Sequence, residues 1–244
     1  MGLKGKIVTA TNSVLRLLGA EIIRYAGDRK PWDDVFEKWI AEAEVSGQDP
    51  NDLGDVDWGD TSGKAFETYY FSFINPESVV LELGPGSGRV TRHLIGRCRE
   101  LILVDYSQAV CDWLARYLKG KGSYRIIQIQ KPWLAGVEND SVDTVIANGV
   151  FEHLDMDELF CFLQEFSRVL RPDGVVSFNF DNIMSAAGIA WFKEYRGEPG
   201  SRSIFRFYHP ESIRVLAHEA GLRVLDLKVD SSRIAHIILQ KATG

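Results

Sequence analysis

From residue 78 onward the chain alternates between two hydrophobic rhythms. Short aliphatic or β-branched runs fall at Val79–Leu83, Leu101–Asp105, Arg125–Ile129, Val142–Ala147 and Val175–Phe178. They are apolar nearly throughout, as strands covered on both faces should be. Between them, apolar residues recur every three or four positions and predict helices at Val90–Arg97, Ala109–Leu118 and Met156–Leu170. In the last of these Leu159, Leu163, Phe166 and Leu170 make the stripe, and Asp155 with Glu158 has capping-box spacing. Arg171-Pro172-Asp173-Gly174 predicts the turn that ends it. Ser212–Ala220 predicts another helix, stopped by Gly221, and Leu222–Val229 with Ile234–Leu239 predicts a closing strand pair. This alternation predicts an α/β fold with a doubly wound, Rossmann-like, mainly parallel sheet.

Residues 1–75 follow a different pattern and predict a helical N-terminal extension ahead of a domain spanning 76–244. Leu15, Leu18, Ile22 and Tyr25 recur at helical spacing, as do Val35, Phe36, Trp39 and Ile40 after Pro31. Gly47 to Gly63, rich in Asp, Gly and Asn, predicts a loop or mobile link.

Composition narrows the class. The chain has 244 residues, 45% hydrophobic and 25% charged, enough for a full core. The net charge of −6, without any Lys/Arg block, argues against a nucleic-acid partner. Arg196, Arg202 and Arg206, scattered around Glu194 and Glu198, read as a solvated loop. Cys98, Cys111 and Cys161 are far apart, form no C-x-x-C, and predict buried thiols in a reduced, cytoplasmic setting. No run has membrane-spanning length. Arg16 and Glu21 interrupt the apolar stretch Ser13 to Ile23, which argues against a signal peptide. Lys6 stands where myristoylation needs Ser or Thr.

The candidate chemistry begins at Leu81-Glu82-Leu83-Gly84-Pro85-Gly86-Ser87-Gly88-Arg89. An acidic residue closes a buried strand and three alternate glycines turn the chain toward a helix. Glycine lets a backbone approach a ligand closely. At a strand-to-helix turn this describes a nucleotide-type cofactor site. Asp105 ends the next strand 21 residues after Gly84 (105 − 84), about the spacing at which a carboxylate binds a ribose. It could instead cap the following helix, a role open equally to Ser107.

The spacing is G-x-G-x-G preceded by an acid, and here the chain resembles the class I S-adenosylmethionine-dependent methyltransferases. The resemblance extends to Asp105-Tyr106-Ser107, to Asn139-Asp140-Ser141-Val142-Asp143, and to Arg168-Val169-Leu170-Arg171-Pro172-Asp173-Gly174. It covers residues 78 to about 180 well, the C-terminal strands loosely and the N-terminal third not at all. It implies seven strands with the last one antiparallel, S-adenosylmethionine as cofactor and S-adenosylhomocysteine as product. It implies that Gly84, Pro85, Gly86 and Gly88 form the cofactor turn, that Glu82 holds the methionine end, and that Tyr106 packs on adenine. Gln128, Ile129 and Gln130 fall where the family contacts the adenine amino group; Ile129 stands where Asp is commonest, a departure. Asn148 and Gly149 fall where it touches the methionine portion. Asp143 is expected to be structural.

Methyl transfer to a hydroxyl benefits from a general base. His153, just past the fourth strand, is the leading candidate, with packing or helix capping as its other reading. Glu152 is the second. Asn179, Asp181 and Asn182 follow the fifth strand and could face an acceptor or form a turn. Trp191, Phe192 and Phe205 to Tyr208 add aromatics, and His209 before Pro210 reads as structural. Asp155, Asp157, Asp181, His153 and His209 have no metal-specifying spacing, so no metal is assigned. Trp58, Tyr69, Tyr70 and Phe71 read as a lid over the cofactor or as core of the extension. The expected acceptor is a small molecule, by preference at oxygen: a sugar or glycolipid head group, or a phenolic or quinone-like metabolite. RNA or DNA methylation, a cofactor-binding protein without turnover and a dehydrogenase are the competing readings.

Overall fold

A computed structural model describes residues 30–47, 64–196 and 205–242. The helix expected over Leu15 to Tyr25, most of the Gly47 to Gly63 loop, Trp58, Glu198 and Arg202 lie outside the described residues. Trp32–Gly244 forms one compact unit; of a second, Met1–Pro31, only the last two residues are described.

Among the described residues seven strands make one sheet: β1 (Val79–Leu83), β2 (Glu100–Asp105), β3 (Tyr124–Gln128), β4 (Val142–Ala147), β5 (Leu170–Asp181), β6 (Leu222–Lys228) and β7 (Ile234–Lys241). Their order is β3-β2-β1-β4-β5-β7-β6. The pairs through β5 are parallel and β7 is antiparallel to both its neighbours. The helices are α1 (Lys30–Ser46), α2 (Lys64–Tyr69), α3 (Thr91–Leu94), α4 (Gln108–Tyr117), α5 (Met156–Val169), α6 (Ala186–Tyr195) and α7 (Pro210–Glu219).

Each face of the sheet has its own core. Leu81, Val145, Val176 and Ile237 pack with Leu159, Phe162, Phe166 of α5 and Ile213 of α7. Val80, Leu101, Leu103 and Ile146 pack with Phe36 of α1, Phe66 of α2, Leu94 of α3 and Leu114 of α4. All five residues of β1 are buried, which explains its unbroken apolar run. Asp155 and Glu158 do form a capping box, with the Asp155 amide donating to Glu158 Oε2.

Several boundaries differ from the sequence expectation. α3 is four residues long, because Ile95 turns extended and Gly96 takes φ +84°. β5 starts at Leu170, and Arg171 to Gly174 bulge out between the rungs Val142↔Leu170 and Thr144↔Val175. The motif turn is therefore a protrusion within a strand. Arg171 anchors it by pairing with Asp143 at 2.6 Å, while Asp143 Oδ2 also accepts from the Val79 amide at 2.7 Å. α6 was not expected. Ser185 caps it by accepting from the Gly188 amide at 2.8 Å.

Candidate functional site

The strand order reverses direction between β1 and β4. In an open α/β sheet the ligand crevice lies outside the carboxyl ends of the strands at that point. Glu82, the glycine turn, Asp105, Asn148, Glu152 and Asp181 all come from the carboxyl ends of β1, β2, β4 and β5 or the turns that follow them.

The turn is built by conformation and contact. Gly84 and Gly86 have φ of +66° and +53°, the left-handed region open to glycine at no steric cost. The Gly84 amide donates to the Val104 carbonyl at 2.8 Å, which holds the turn against β2. A Cβ on Gly84 would stand 2.5 Å from Val150 Cγ2, whereas one on Gly86 would meet nothing within 4 Å. Gly84 is thus required by protein packing, and Gly86 presents its backbone to open space.

Two carboxyls flank this turn. Glu82 is 2% exposed and accepts from Thr91 Oγ1 at 2.7 Å. Burial pushes its carboxyl up to about 8, opposed by the Thr91 hydrogen bond and reinforced by the charge of Asp105. Asp105 is partly buried, and burial pushes it up to about 6. Backbone amides of Ser107, Gly86 and Tyr106 oppose that rise, and Asp33 adds to it. The Ser107 amide donates to Asp105 Oδ1 at 2.8 Å. Ser107 caps α4, accepting from the Val110 amide at 3.1 Å. The helix-cap role thus falls to Ser107 and not to Asp105.

Asp33 of α1, which the sequence did not single out, completes that end of β2. Its Oδ1 accepts from Ser107 Oγ at 2.5 Å and from the Ala109 amide at 3.1 Å. Tyr106 packs on the core with its ring 6.1 Å from Phe162. Gln128 spends its amide on the Tyr106 carbonyl at 3.0 Å. Ile129 is buried in the core, and its backbone amide donates to the Asp105 carbonyl at 2.9 Å. The Ile129 side chain therefore packs in the core, where an acid would be buried; Gln130 is exposed.

On the β4 side, Asn148 Oδ1 accepts from the buried Tyr70 hydroxyl at 3.0 Å. The Gly149 amide donates to Asn179 Oδ1 at 2.8 Å, tying the ends of β4 and β5. Glu152, in a 3-10 turn over Phe151–His153, is 2% exposed, and its buried Oε2 has no hydrogen-bond partner among the described residues. Burial pushes its carboxyl up to about 7, opposed by its own backbone amide and by Arg233. His153 is only partly buried and sits between aromatic rings, 4.7 Å from Trp32 and 5.4 Å from Phe205. Of the two candidate bases, Glu152 is the more enclosed.

Other expectations resolve plainly. His209 is the N-cap of α7, its Nδ1 accepting from the Glu211 amide at 3.1 Å. Arg206 is not part of a solvated scatter; it pairs with Asp155 at 2.7 Å and is 22% exposed. Of the three free cysteines only Cys111 is fully buried, a correction to the expectation for Cys98 and Cys161. Tyr69 and Tyr70 lie against β7, with Tyr69 stacked on His236 at 3.8 Å. Among the described residues no group of three or more His, Cys, Asp or Glu is placed to hold a metal ion, and no helix is long and apolar enough to cross a membrane.

An acid-lined switch point with a backbone cradle defines a Rossmann-like domain for a nucleotide-type cofactor. Burial disfavours the ionised form of these carboxyls and a cation beside them restores it; S-adenosylmethionine carries an ammonium and a sulfonium. Residues 81–178 match the family described as a methyltransferase domain. That match, with the methyltransferase relatives and structures that follow, supports a class I S-adenosylmethionine-dependent methyltransferase. It is 27% identical over 151 residues to an uncharacterized methyltransferase of Oceanobacillus iheyensis, covering 59% of this chain and 64% of the relative. It is 32% identical over 102 residues to an uncharacterized methyltransferase of Schizosaccharomyces pombe, covering 41% of this chain and 38% of the relative. The matches thus span less than two thirds of these relatives' own lengths. Among solved structures, the complex between the Haloferax volcanii Trm112 methyltransferase activator and a methyltransferase gives a TM-score of 0.62 at 17% identity, covering 85% of this chain and 98% of that one. The DhpI–SAH complex gives 0.59 at 19% identity, covering 86% and 96%. An Aquifex aeolicus SAM-dependent methyltransferase gives 0.57 at 14% identity, covering 80% and 99%. These likenesses establish the fold.

Proposed function

We propose that this protein methylates a hydroxyl oxygen of a small molecule, a sugar or glycolipid head group or a phenolic or quinone-like metabolite. S-adenosylmethionine supplies an activated methyl group on a sulfonium when bound. The residues that would hold it are the Gly84-Pro85-Gly86-Ser87-Gly88 backbone, Glu82 toward the methionine ammonium, and Asp105 toward the ribose hydroxyls. Tyr106 and the Gln128 to Gln130 segment would lie toward adenine, with Ile129 contributing backbone, and Asn148 and Gly149 toward the methionine portion. Since the reagent is already activated, the protein's own work is alignment, exclusion of water and removal of one proton.

Glu152 carries this reading. A buried carboxyl just beyond β4, with one oxygen lacking a partner among the described residues, supports a role in accepting a hydroxyl proton, and a proton affinity near neutrality suits a general base. His153, between Trp32 and Phe205, would shape the acceptor wall. The acidic net charge supports a small acceptor over a nucleic acid. The free thiols fit a cytoplasmic protein.

The test is a panel of hydroxylated acceptors with purified protein, scored by S-adenosylhomocysteine formation. Glu152→Gln should lower turnover by about 10²–10⁴-fold with cofactor affinity retained. Full turnover in that variant, or tight NAD binding without S-adenosylmethionine binding, would overturn the proposal.

A further inference from the structure

Ser107 is the joint between β2 and α4, and it is buried. Its amide donates to Asp105 Oδ1 at 2.8 Å, and its Oγ accepts from the Val110 amide at 3.1 Å. A hydroxyl has one proton to give, and Ser107 gives it to Asp33 Oδ1 at 2.5 Å. The same Asp33 oxygen accepts from the Ala109 amide at 3.1 Å. The first amides of a helix have no partner within it. At the start of α4, Ser107 takes the Val110 amide and Asp33 takes that of Ala109. The peptide that grips Asp105 is therefore anchored from α1, 74 positions upstream of Ser107.

Asp33 is itself held in place by its neighbour. Trp32 sets its ring 4.7 Å from that of His153, in the turn after β4. The start of α1 thus touches the segments that follow β2 and β4, the strands on either side of β1. The charge of Asp33 pushes the Asp105 carboxyl further up, against the ionised form. What Asp33 contributes to Asp105 is therefore position and not charge.

We infer that Asp33 is a positioning residue for the cofactor: through Ser107 it fixes the Asp105 carboxyl in the orientation that receives the ribose hydroxyls. This rests on the proposed role of Asp105. Asp33 Oδ1 is spent on Ser107 and Ala109, so the link runs through the serine and needs no contact between α1 and the ligand. Without Asp33, Ser107 keeps its amide but loses the anchor that aims it. Asp105 then samples more orientations, and ordering that the fold had supplied in advance is lost from the binding free energy.

Calorimetry with S-adenosylhomocysteine on the full chain tests this as a double-mutant cycle. Asp33→Ala should weaken binding by about 5-fold or more. In an Asp105→Ala background the same substitution should cost much less, because no carboxyl remains to be aimed. Asp33→Asn, whose amide oxygen still accepts both bonds, should recover most of the loss. Ser107→Gly keeps the amide and is tolerated at a helix start. It cuts the same link, should weaken binding likewise, and serves if Asp33→Ala does not fold. A second readout separates aim from general loosening. Asp33→Ala should reduce the preference for adenosine over its dideoxy analogue, which lacks the ribose hydroxyls; loosening alone lowers both affinities equally. Unchanged affinity in Asp33→Ala, equal losses in both backgrounds, or an unchanged preference would overturn the inference even where Asp105→Ala weakens binding. If Asp105→Ala leaves affinity unchanged, the ribose assignment itself fails, and this inference with it. Turnover enters none of these measurements, so the methyl-transfer proposal is judged separately.

Discussion

Gly84 and Gly86 look equivalent in the motif, yet the structure assigns them opposite consequences when a methyl group is added. Both have positive φ, so an alanine at either costs about 1–2 kcal/mol of backbone strain. At Gly86 nothing else follows, since the new Cβ meets open space. At Gly84 the Cβ would lie 2.5 Å from Val150 Cγ2, and relieving such overpacking adds about 1–3 kcal/mol. For a chain of this size each kcal/mol moves Tm by roughly 2–4 °C. Gly86→Ala should therefore lower Tm by roughly 2–8 °C. Gly84→Ala should lower it further, by roughly 4–20 °C. Val150→Ala should recover part of the Gly84→Ala loss, because the overlapping atom is then gone. Binding should rank the other way. Per degree of Tm lost, Gly86→Ala should lose more S-adenosylmethionine affinity, since its methyl projects where the ligand backbone contact is proposed. Thermal scans with isothermal titration calorimetry measure both. Equal Tm losses without rescue by Val150→Ala, or unimpaired binding in Gly86→Ala, would refute the division of roles.

Asp105→Asn should weaken S-adenosylmethionine binding by about 10-fold to 150-fold, the loss of charge-assisted hydrogen bonds worth about 1.5–3 kcal/mol; unchanged affinity by calorimetry would remove Asp105 from the ribose. Stability should also depend on pH in an unusual direction. Glu82, Glu152 and Asp181 keep their protons up to about 8, 7 and 7 when folded, against about 4 in an unfolded chain. The folded state then binds more protons, so stability falls as pH rises through that window. His236, held down to about 4 mainly by burial, acts oppositely but only up to about 6.5. Without ligand, Tm should therefore fall between pH 6.5 and 8, less steeply in Glu82→Gln; a rising Tm there would contradict the buried carboxyls. Gly188→Ala would place a Cβ 1.8 Å from the Asn182 carbonyl oxygen, and should destabilise the start of α6 by about 1–3 kcal/mol, read as a lower Tm and faster proteolysis at Ser185 to Ala190.

The sheet was legible because its strands are buried on both faces and so carry unbroken apolar runs: β1, β2 and β4 fall within a residue of expectation. The antiparallel final strand came from family resemblance. What local pattern could not show is contact between distant residues. Asp33 with Ser107, Tyr70 with Asn148, and Asp181 with Arg233 are separated by 74, 78 and 52 positions, and no spacing announces them. α6 was missed because Trp191 and Phe192 were read as an aromatic insertion, and its helical signal lies in the cap Ser185 and a run of small residues. Ile129 fell outside the pattern because β3 ends one residue earlier and turns that side chain inward.

Asp33 reaches Ser107 and Ala109 from far upstream, while the Tyr69 carbonyl accepts from Ser177 Oγ at 2.7 Å. A fragment trimmed to begin at the sheet would expose an unsatisfied helix start on one side and lose a cross-link to β5 on the other. The minimal autonomous unit is therefore longer than the recognisable motif block, and any shortened version intended for binding work should retain the residues from Trp32 onward.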